Sequence, residues 1–164
     1  MKSLIIYYSK EGNNEQLAEI IEKKLKCRSE RIIEIRKRNN FTLFLEMFSK
    51  KSPPIQKIAK NPKEFDHLIL VSPIWGGVPA SPMIAFIKEY AETIKKYSFI
   101  SLCGGSLGPN KRIGDFLQEK LGKKPKACVE LYINDIAPDE KKNKPFKIMK
   151  IKIDKDIIQK KFKE

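Results

Sequence analysis

The stretch Leu70-Val71-Ser72-Pro73-Ile74-Trp75-Gly76-Gly77-Val78-Pro79-Ala80-Ser81-Pro82 changes character three times. An apolar run stops at Ser72-Pro73, a large aromatic and two glycines follow, and Ser81-Pro82 supply an N-cap and a first helical residue. The order is strand, shaped loop, helix start. A tryptophan at the C-terminal end of a strand can show its indole face to a planar ligand, with Gly76-Gly77 letting the main chain come close beside it. The alternative is an indole folded back into the core.

The same pattern recurs on either side. Ser3 to Tyr8 is a continuous apolar run of the kind found in strands buried on both faces. It breaks at Ser9-Lys10-Glu11-Gly12-Asn13-Asn14, after which Leu17, Ile21 and Leu25 recur at helical spacing with Ala18 and Ile20 beside them. Asn13 and Gln16 form a candidate capping-box pair, which starts the helix at one of the two asparagines. Arg31 to Ile35 reads as a short second strand. Phe41 to Lys50, with Leu43, Phe44, Met47 and Phe48, reads as a helix closed by Ser52-Pro53-Pro54. Ile55 to Phe65 is a polar, lysine-bearing connection, and His67 to Val71 is the third strand.

Met83, Phe86, Ile87, Tyr90 and Ile94 define the apolar face of a helix over 82–96. Tyr97 to Cys103 is a fourth strand, leading into Gly104-Gly105-Ser106-Leu107-Gly108-Pro109. Ile113, Phe116, Leu117 and Leu121 give the next helix, ended by Gly122, and Ala127 to Ile133 a fifth strand. Beyond it, 134–144 is a charged loop, Phe146 to Ile153 alternates like a strand, and Asp154 stands where it can cap a last short helix.

Strands alternating with helices predict a parallel sheet covered on both faces, in one domain over 1–164. In such sheets ligands sit beyond the carboxyl ends of the strands, where strand order reverses. The loops after strands one, three and four, enriched in Gly, Ser, Asn and Trp, open on that edge. The first feeds a helix N-terminus, where unpaired N–H groups and the helix dipole attract anions, and Ser9, Asn13 and Asn14 add donors. It is neither a Walker A loop nor a Gly-x-Gly-x-x-Gly turn. A ligand with a phosphate at one end and a flat ring at the other suits such an edge, and flavin mononucleotide (FMN) has that outline.

Hydrophobic residues at 41% and charged ones at 33% describe an ordinary globule. No stretch approaches the apolar length that spans a bilayer, and Met1 to Tyr8 is too short and too soon polar for a signal peptide, so a cytoplasmic protein is expected. Cys27, Cys103 and Cys128 have no paired or metal-like spacing, which fits a reducing compartment and argues against a disulfide framework or a zinc site. Lys and Arg number 34 against 20 Asp and Glu, a formal net charge of +14. That field draws acidic partners, although the lysines are spread along nearly the whole chain, as on a solvated surface.

Taken in order, these segments resemble the flavodoxin family over nearly the whole chain. Ser9-Lys10-Glu11-Gly12-Asn13-Asn14 is similar to its phosphate loop of Ser/Thr-x-Thr-Gly-x-Thr type. Ser72-Pro73-Ile74-Trp75-Gly76 is similar to its Pro-x-Trp-x-Gly ring loop, and Cys103-Gly104-Gly105-Ser106 to its Thr-Ser-Gly-Gly stretch. The resemblance implies a three-layer α/β/α sandwich on a five-stranded parallel sheet of order 2-1-3-4-5, with FMN as cofactor. It implies that Ser9, Gly12, Asn13 and Asn14 bind the phosphate and that Trp75 stacks on or flanks the ring. The Gly76-Gly77 peptide would accept the N5 proton of the reduced flavin, and Cys103, Gly104, Gly105 and Ser106 would meet the ring's polar edge.

The function so implied is FMN-dependent electron transfer to or from a redox protein with an acidic surface, with no membrane and no nucleic acid as partner. The alternatives are an NAD(P)H-dependent quinone or flavin reductase, which shares this fold, and a basic interaction protein on a flavodoxin fold that has lost FMN. Two departures from the family stand out. Glu11 and Asn14 replace threonines, and a carboxylate beside a phosphate repels it unless Glu11 turns outward or Lys10 offsets it. The chain is also basic where flavodoxins are usually acidic, which is expected to favour the anionic reduced flavin and make its potential less negative.

Gly104-Gly105-Ser106-Leu107-Gly108 also matches the Gly-x-Ser-x-Gly elbow of serine hydrolases. That elbow needs a histidine base, and the single histidine, His67, falls upstream at the wrong end of the sheet. Cys103 has no base near it in sequence and reads as a ring neighbour or buried thiol rather than a nucleophile.

Overall fold

Apolar residues at consecutive positions of a strand point to opposite faces, so a strand such as Leu4-Ile5-Ile6 has to be covered on both. The computed structural model describes residues 1–35, 52–104 and 112–133. In it β1 (Ser3–Tyr7), β2 (Arg28–Arg31), β3 (His67–Val71), β6 (Tyr97–Cys103) and β7 (Cys128–Tyr132) form one sheet in the order β2-β1-β3-β6-β7. All four pairings are parallel. The intervening numbers belong to a separate hairpin, β4 (Ile74–Trp75) and β5 (Val78–Pro79), so the sheet order is the expected 2-1-3-4-5.

Leu4, Ile6, Leu68, Leu70 and Phe99 face one core, closed by Met83, Phe86 and Ile87 of α2 (Ser81–Tyr90) and by Ile113, Leu117 and Leu121 of α3 (Arg112–Leu121). Ile5, Ile69, Val71, Ile100 and Leu102 face the other, closed by Leu17, Ala18, Ile20 and Ile21 of α1 (Asn13–Leu25). Among the described residues, two helices on one face and one on the other give the three layers.

Several boundaries differ from the sequence reading. The second strand is Arg-Ser-Glu-Arg at 28–31, starting three residues before the Arg31 to Ile35 stretch expected for it. Its polar residues suit an edge strand, and the Ser29 N–H and hydroxyl both bond the Glu22 carboxylate at 3.1 and 2.9 Å. No capping box forms: Gly12 is the N-cap of α1 with φ 89° and no side-chain cap, and Asn13 and Gln16 lie inside the helix. Ser81 is the first residue of α2 rather than its cap, which is Ala80.

α2 stops at Tyr90 instead of 96. A 3₁₀ turn over Ala91–Thr93 follows, where the Thr93 hydroxyl donates to the Tyr90 carbonyl at 2.7 Å. The polar connection hides apolar anchors, since Ile55, Ile58 and Phe65 are all buried. The fifth strand is one residue shorter at each end than 127–133. The helix expected at 41–50 and the strand and helix expected beyond 134 lie outside the described residues.

Candidate functional site

β1 and β3 both end at the carboxyl edge, and the chain leaves each by a turn that needs left-handed backbone. After β1 that residue is Gly12. A Cβ there would meet nothing within 4 Å, so what selects glycine is φ alone. The turn delivers α1, whose first internal bond runs from the Gln16 N–H to the Gly12 carbonyl at 3.0 Å. The amides of Asn13, Asn14 and Glu15 therefore have no acceptor within the helix, which makes this end a natural anion cradle.

After β3 the expected loop is a hairpin. Trp75 pairs with Val78, and Gly76 and Gly77 make the turn with φ 58° and 87°. Positive φ at both central residues is what tight hairpins favour, and glycine meets it without strain. The indole is half-buried: its ring stands edge-on to Tyr8, centroids 5.7 Å apart and planes at 90°, and it packs on the core.

A cavity of about 560 Å³ lies between these turns, within the usual range for small-molecule sites. Of the residues singled out from the sequence, Ser9, Lys10, Glu11, Asn13, Asn14, Pro73, Ile74, Trp75, Gly76 and Gly104 line it. Gly12 shapes the turn without lining the cavity. Ser72 is fully buried, its hydroxyl donating to the Pro73 carbonyl at 3.0 Å, and Gly77 completes the hairpin behind Gly76. Cys103 stands just behind the wall, its Sγ 3.0 Å from the Ser101 hydroxyl. Burial pushes the Cys103 thiol up, against the opposing pull of Ser101 and the Ile74 N–H. Gly105 and Ser106, with the rest of the hydrolase-like motif, lie outside the described residues.

Asn14 departs from its expected role. Its side-chain amide donates to the Leu102 carbonyl at 3.0 Å and accepts from the Leu102 N–H at 2.9 Å. The side chain is thus committed to β6, and its main-chain N–H is what it offers an anion. Glu11 is exposed, as is Lys10, so water screens the carboxylate that departs from the family pattern.

Sequence reasoning missed Leu102 and Ile133, which add apolar wall at the ends of β6 and β7. It also missed Arg31, which donates to the Ser9 carbonyl at 3.1 Å and pairs with Glu15 at 3.0 Å. The Tyr7 hydroxyl donates to the same Glu15 oxygen at 3.1 Å, and burial, then Glu15, pushes Tyr7 up to about 12. Together they offset the carboxylate in the first turn of α1. The available signal was that strands β1 and β2 are adjacent and end side by side.

His67 sits at the opposite edge, its Nε2 3.0 Å from the Ser98 hydroxyl, which removes the base that a serine elbow requires. Among the described residues no group of His, Cys, Asp or Glu is placed to hold a metal, and no helix is long and apolar enough to cross a membrane.

The family model for NADPH-dependent FMN reductase matches residues 1–129. The chain belongs to this family. Among solved structures, a flavoprotein from Lactobacillus acidophilus in complex with FMN is 20% identical, with a TM-score of 0.65 over 79% of this chain and 92% of its own. A putative flavoprotein from Bacteroides uniformis is 16% identical, with a TM-score of 0.73 over 99% of this chain and 98% of its own. Another from Bacteroides eggerthii is 18% identical, with a TM-score of 0.69 over 80% and 87%. These three likenesses establish the flavodoxin-like fold. No curated protein sequence matches. FMN, expected from the motifs, is the flavin in the FMN reductase family's own description and the ligand of the Lactobacillus protein.

The residues present fit FMN. Asn13 lines the cavity and is 8% exposed, and its side-chain oxygen is buried with no hydrogen-bond partner among the described residues. An orphaned buried acceptor at a helix N-terminus calls for a ligand that donates there, as the hydroxyls of FMN's sugar-alcohol chain do.

Proposed function

We propose that the chain holds FMN in the carboxyl-edge cavity and passes electrons through it. The observation that carries this reading is a single cavity onto which the α1 turn, the Trp75 hairpin and the ends of β6 and β7 all open. The amides of Asn13, Asn14 and Glu15, with Ser9, would hold the phosphate, and Arg31 would keep the Ser9 main chain in place. Trp75, Leu102 and Ile133 would flank the ring and keep water from it. The Gly76-Gly77 peptide, with no Cβ on either side, turns at little cost, and its carbonyl would accept a hydrogen bond from the N5–H of the reduced ring. Gly104 would meet the ring's polar edge. When bound, FMN supplies the electron chemistry, while the protein sets its environment.

The family match favours a second reading, in which NADPH delivers electrons to the bound flavin. The excess of 34 cationic over 20 acidic side chains supports an acidic redox partner. The cysteine spacing supports a cytoplasmic location.

Trp75 is the chain's only tryptophan, so titration with FMN tests the reading directly. Trp75 fluorescence should quench to a one-to-one end point while the FMN absorption bands shift. Unchanged fluorescence and unperturbed FMN would overturn it. NADPH oxidation by the loaded protein then separates reductase from carrier, and reduction of an acidic partner should slow as salt rises.

A further inference from the structure

A second cavity, of about 620 Å³, lies at the opposite edge of the sheet, where the strands begin. Five residues of β1, at about 3.3 Å each, separate it from the flavin cavity by roughly 16 Å. Lys2, Lys26, Arg28 and Lys60 line it, and Glu64 is the one carboxylate among its lining residues. Lys2 lies 4.0 Å from Glu64 and Lys60 3.4 Å from Glu30. Lys26 and Arg28 have no carboxylate within ion-pair distance among the described residues.

Lys26 carries a second mark. It is the helix C-cap of α1 at φ 49°, ψ 40°, and the only non-glycine of positive φ among the described residues. Where a helix ends on a left-handed residue, that residue is usually glycine, because a side chain is strained there. The lysine at this strained position stands beside an arginine on the wall of the cavity, so two cationic side chains are offered to whatever the cavity holds. Arg28 adds a planar fork suited to an oxyanion. Leu25, 51% exposed on the same wall, offers apolar surface to the rest of a ligand.

We infer that this amino-edge cavity is a binding site for a small phosphate-bearing ligand, distinct from the flavin cavity. Lys26 and Arg28 hold the phosphate, and Leu25 seats the apolar part. A cation at a helix C-terminus also complements the helix dipole, so the test has to separate the two roles.

The probe is inorganic pyrophosphate, added to the FMN-loaded full chain and followed by amide NMR. Shifts are expected at 26–29 and 59–61, with 9–14 unmoved. Lys26→Gly and Arg28→Gln should each weaken binding about tenfold, the loss of one charge-assisted bond. Lys26→Gly should hold or raise the melting temperature, because glycine relieves the backbone. No shifts at the amino edge, or undiminished affinity in both variants, would overturn the site. A lower melting temperature with unchanged affinity would do so too, leaving Lys26 a dipole cap. If the chain does not take up FMN, the same titration on the FMN-free protein still reads residues 26–29, so the two readings fail separately.

Discussion

Replacing Asn14 with leucine tests how the site is held together. In β6 the Ile100 carbonyl accepts from the Ser72 N–H at 3.2 Å, on the side of β3. Leu102, two residues on, turns its main-chain groups the same way, but β3 has ended and the chain is leaving through Pro73. The Asn14 amide takes the place of the missing peptide, with bonds of 2.9 and 3.0 Å across 88 residues of sequence. Asn14→Leu would leave the Leu102 N–H and carbonyl both buried and unpaired. Each costs about 1–3 kcal/mol, and the added apolar burial recovers about 1, so a net loss of about 1–5 kcal/mol is expected. Out of a typical total of about 5–15 kcal/mol that is a large fraction. Urea unfolding should show it as a lower midpoint at unchanged slope. FMN affinity should fall in parallel, because the same bonds tie the phosphate turn to the ring end of the cavity. A loss under about 0.5 kcal/mol would show that the sheet does not need this clamp.

Gly12→Val forces a β-branched residue to φ 89° where space is not the obstacle, so the cost is backbone strain of about 1–2 kcal/mol. Isothermal titration should show weaker FMN binding from the distorted turn, with any loss of fold measured separately by urea. His67 is held below its ordinary pKa by burial first, then by Lys96 and Lys126. The unfolded chain therefore takes up a proton that the folded chain refuses. Stability should fall as pH drops through about 6.5 and level off below the folded value, and His67→Gln should abolish the slope in urea midpoints. The +14 charge should make the midpoint potential of bound flavin less negative at low ionic strength, moving down as salt is added. A salt-independent potential in a spectroelectrochemical titration would remove that argument.

Both central strands and β6 were legible to the residue or nearly so, because buried parallel strands are continuous apolar runs and turns bound them sharply. β2 was not, since an edge strand is held by main-chain pairing with β1 and its Arg-Ser-Glu-Arg sequence has no apolar period. The two turns of the site could be read because glycine and proline leave local marks. What remained hidden was non-local. Nothing around Asn14 announces that its partner is Leu102, nothing around Arg31 that it reaches the Ser9 carbonyl, and the Gly76-Gly77 pair fits a loop as well as a hairpin until the pairing of Trp75 with Val78 is seen.

The two readings left open for Trp75, ligand face or core, prove not to exclude each other. One edge of the indole is met by Tyr8, whose hydroxyl donates to Glu34 at 2.6 Å, and Glu34 is itself bridged to Ile55. The ring therefore has support from behind that runs through β1 into the segment following β2, while the hairpin places it on the cavity wall. A tryptophan on a flexible loop would lose conformational freedom when a planar ligand arrived, and binding would be weaker by that amount. Here that ordering belongs to folding, since Tyr8 and the two left-handed glycines fix the indole beforehand. The features that make Trp75 look like a core residue are thus the ones that suit it to meet a flat ring.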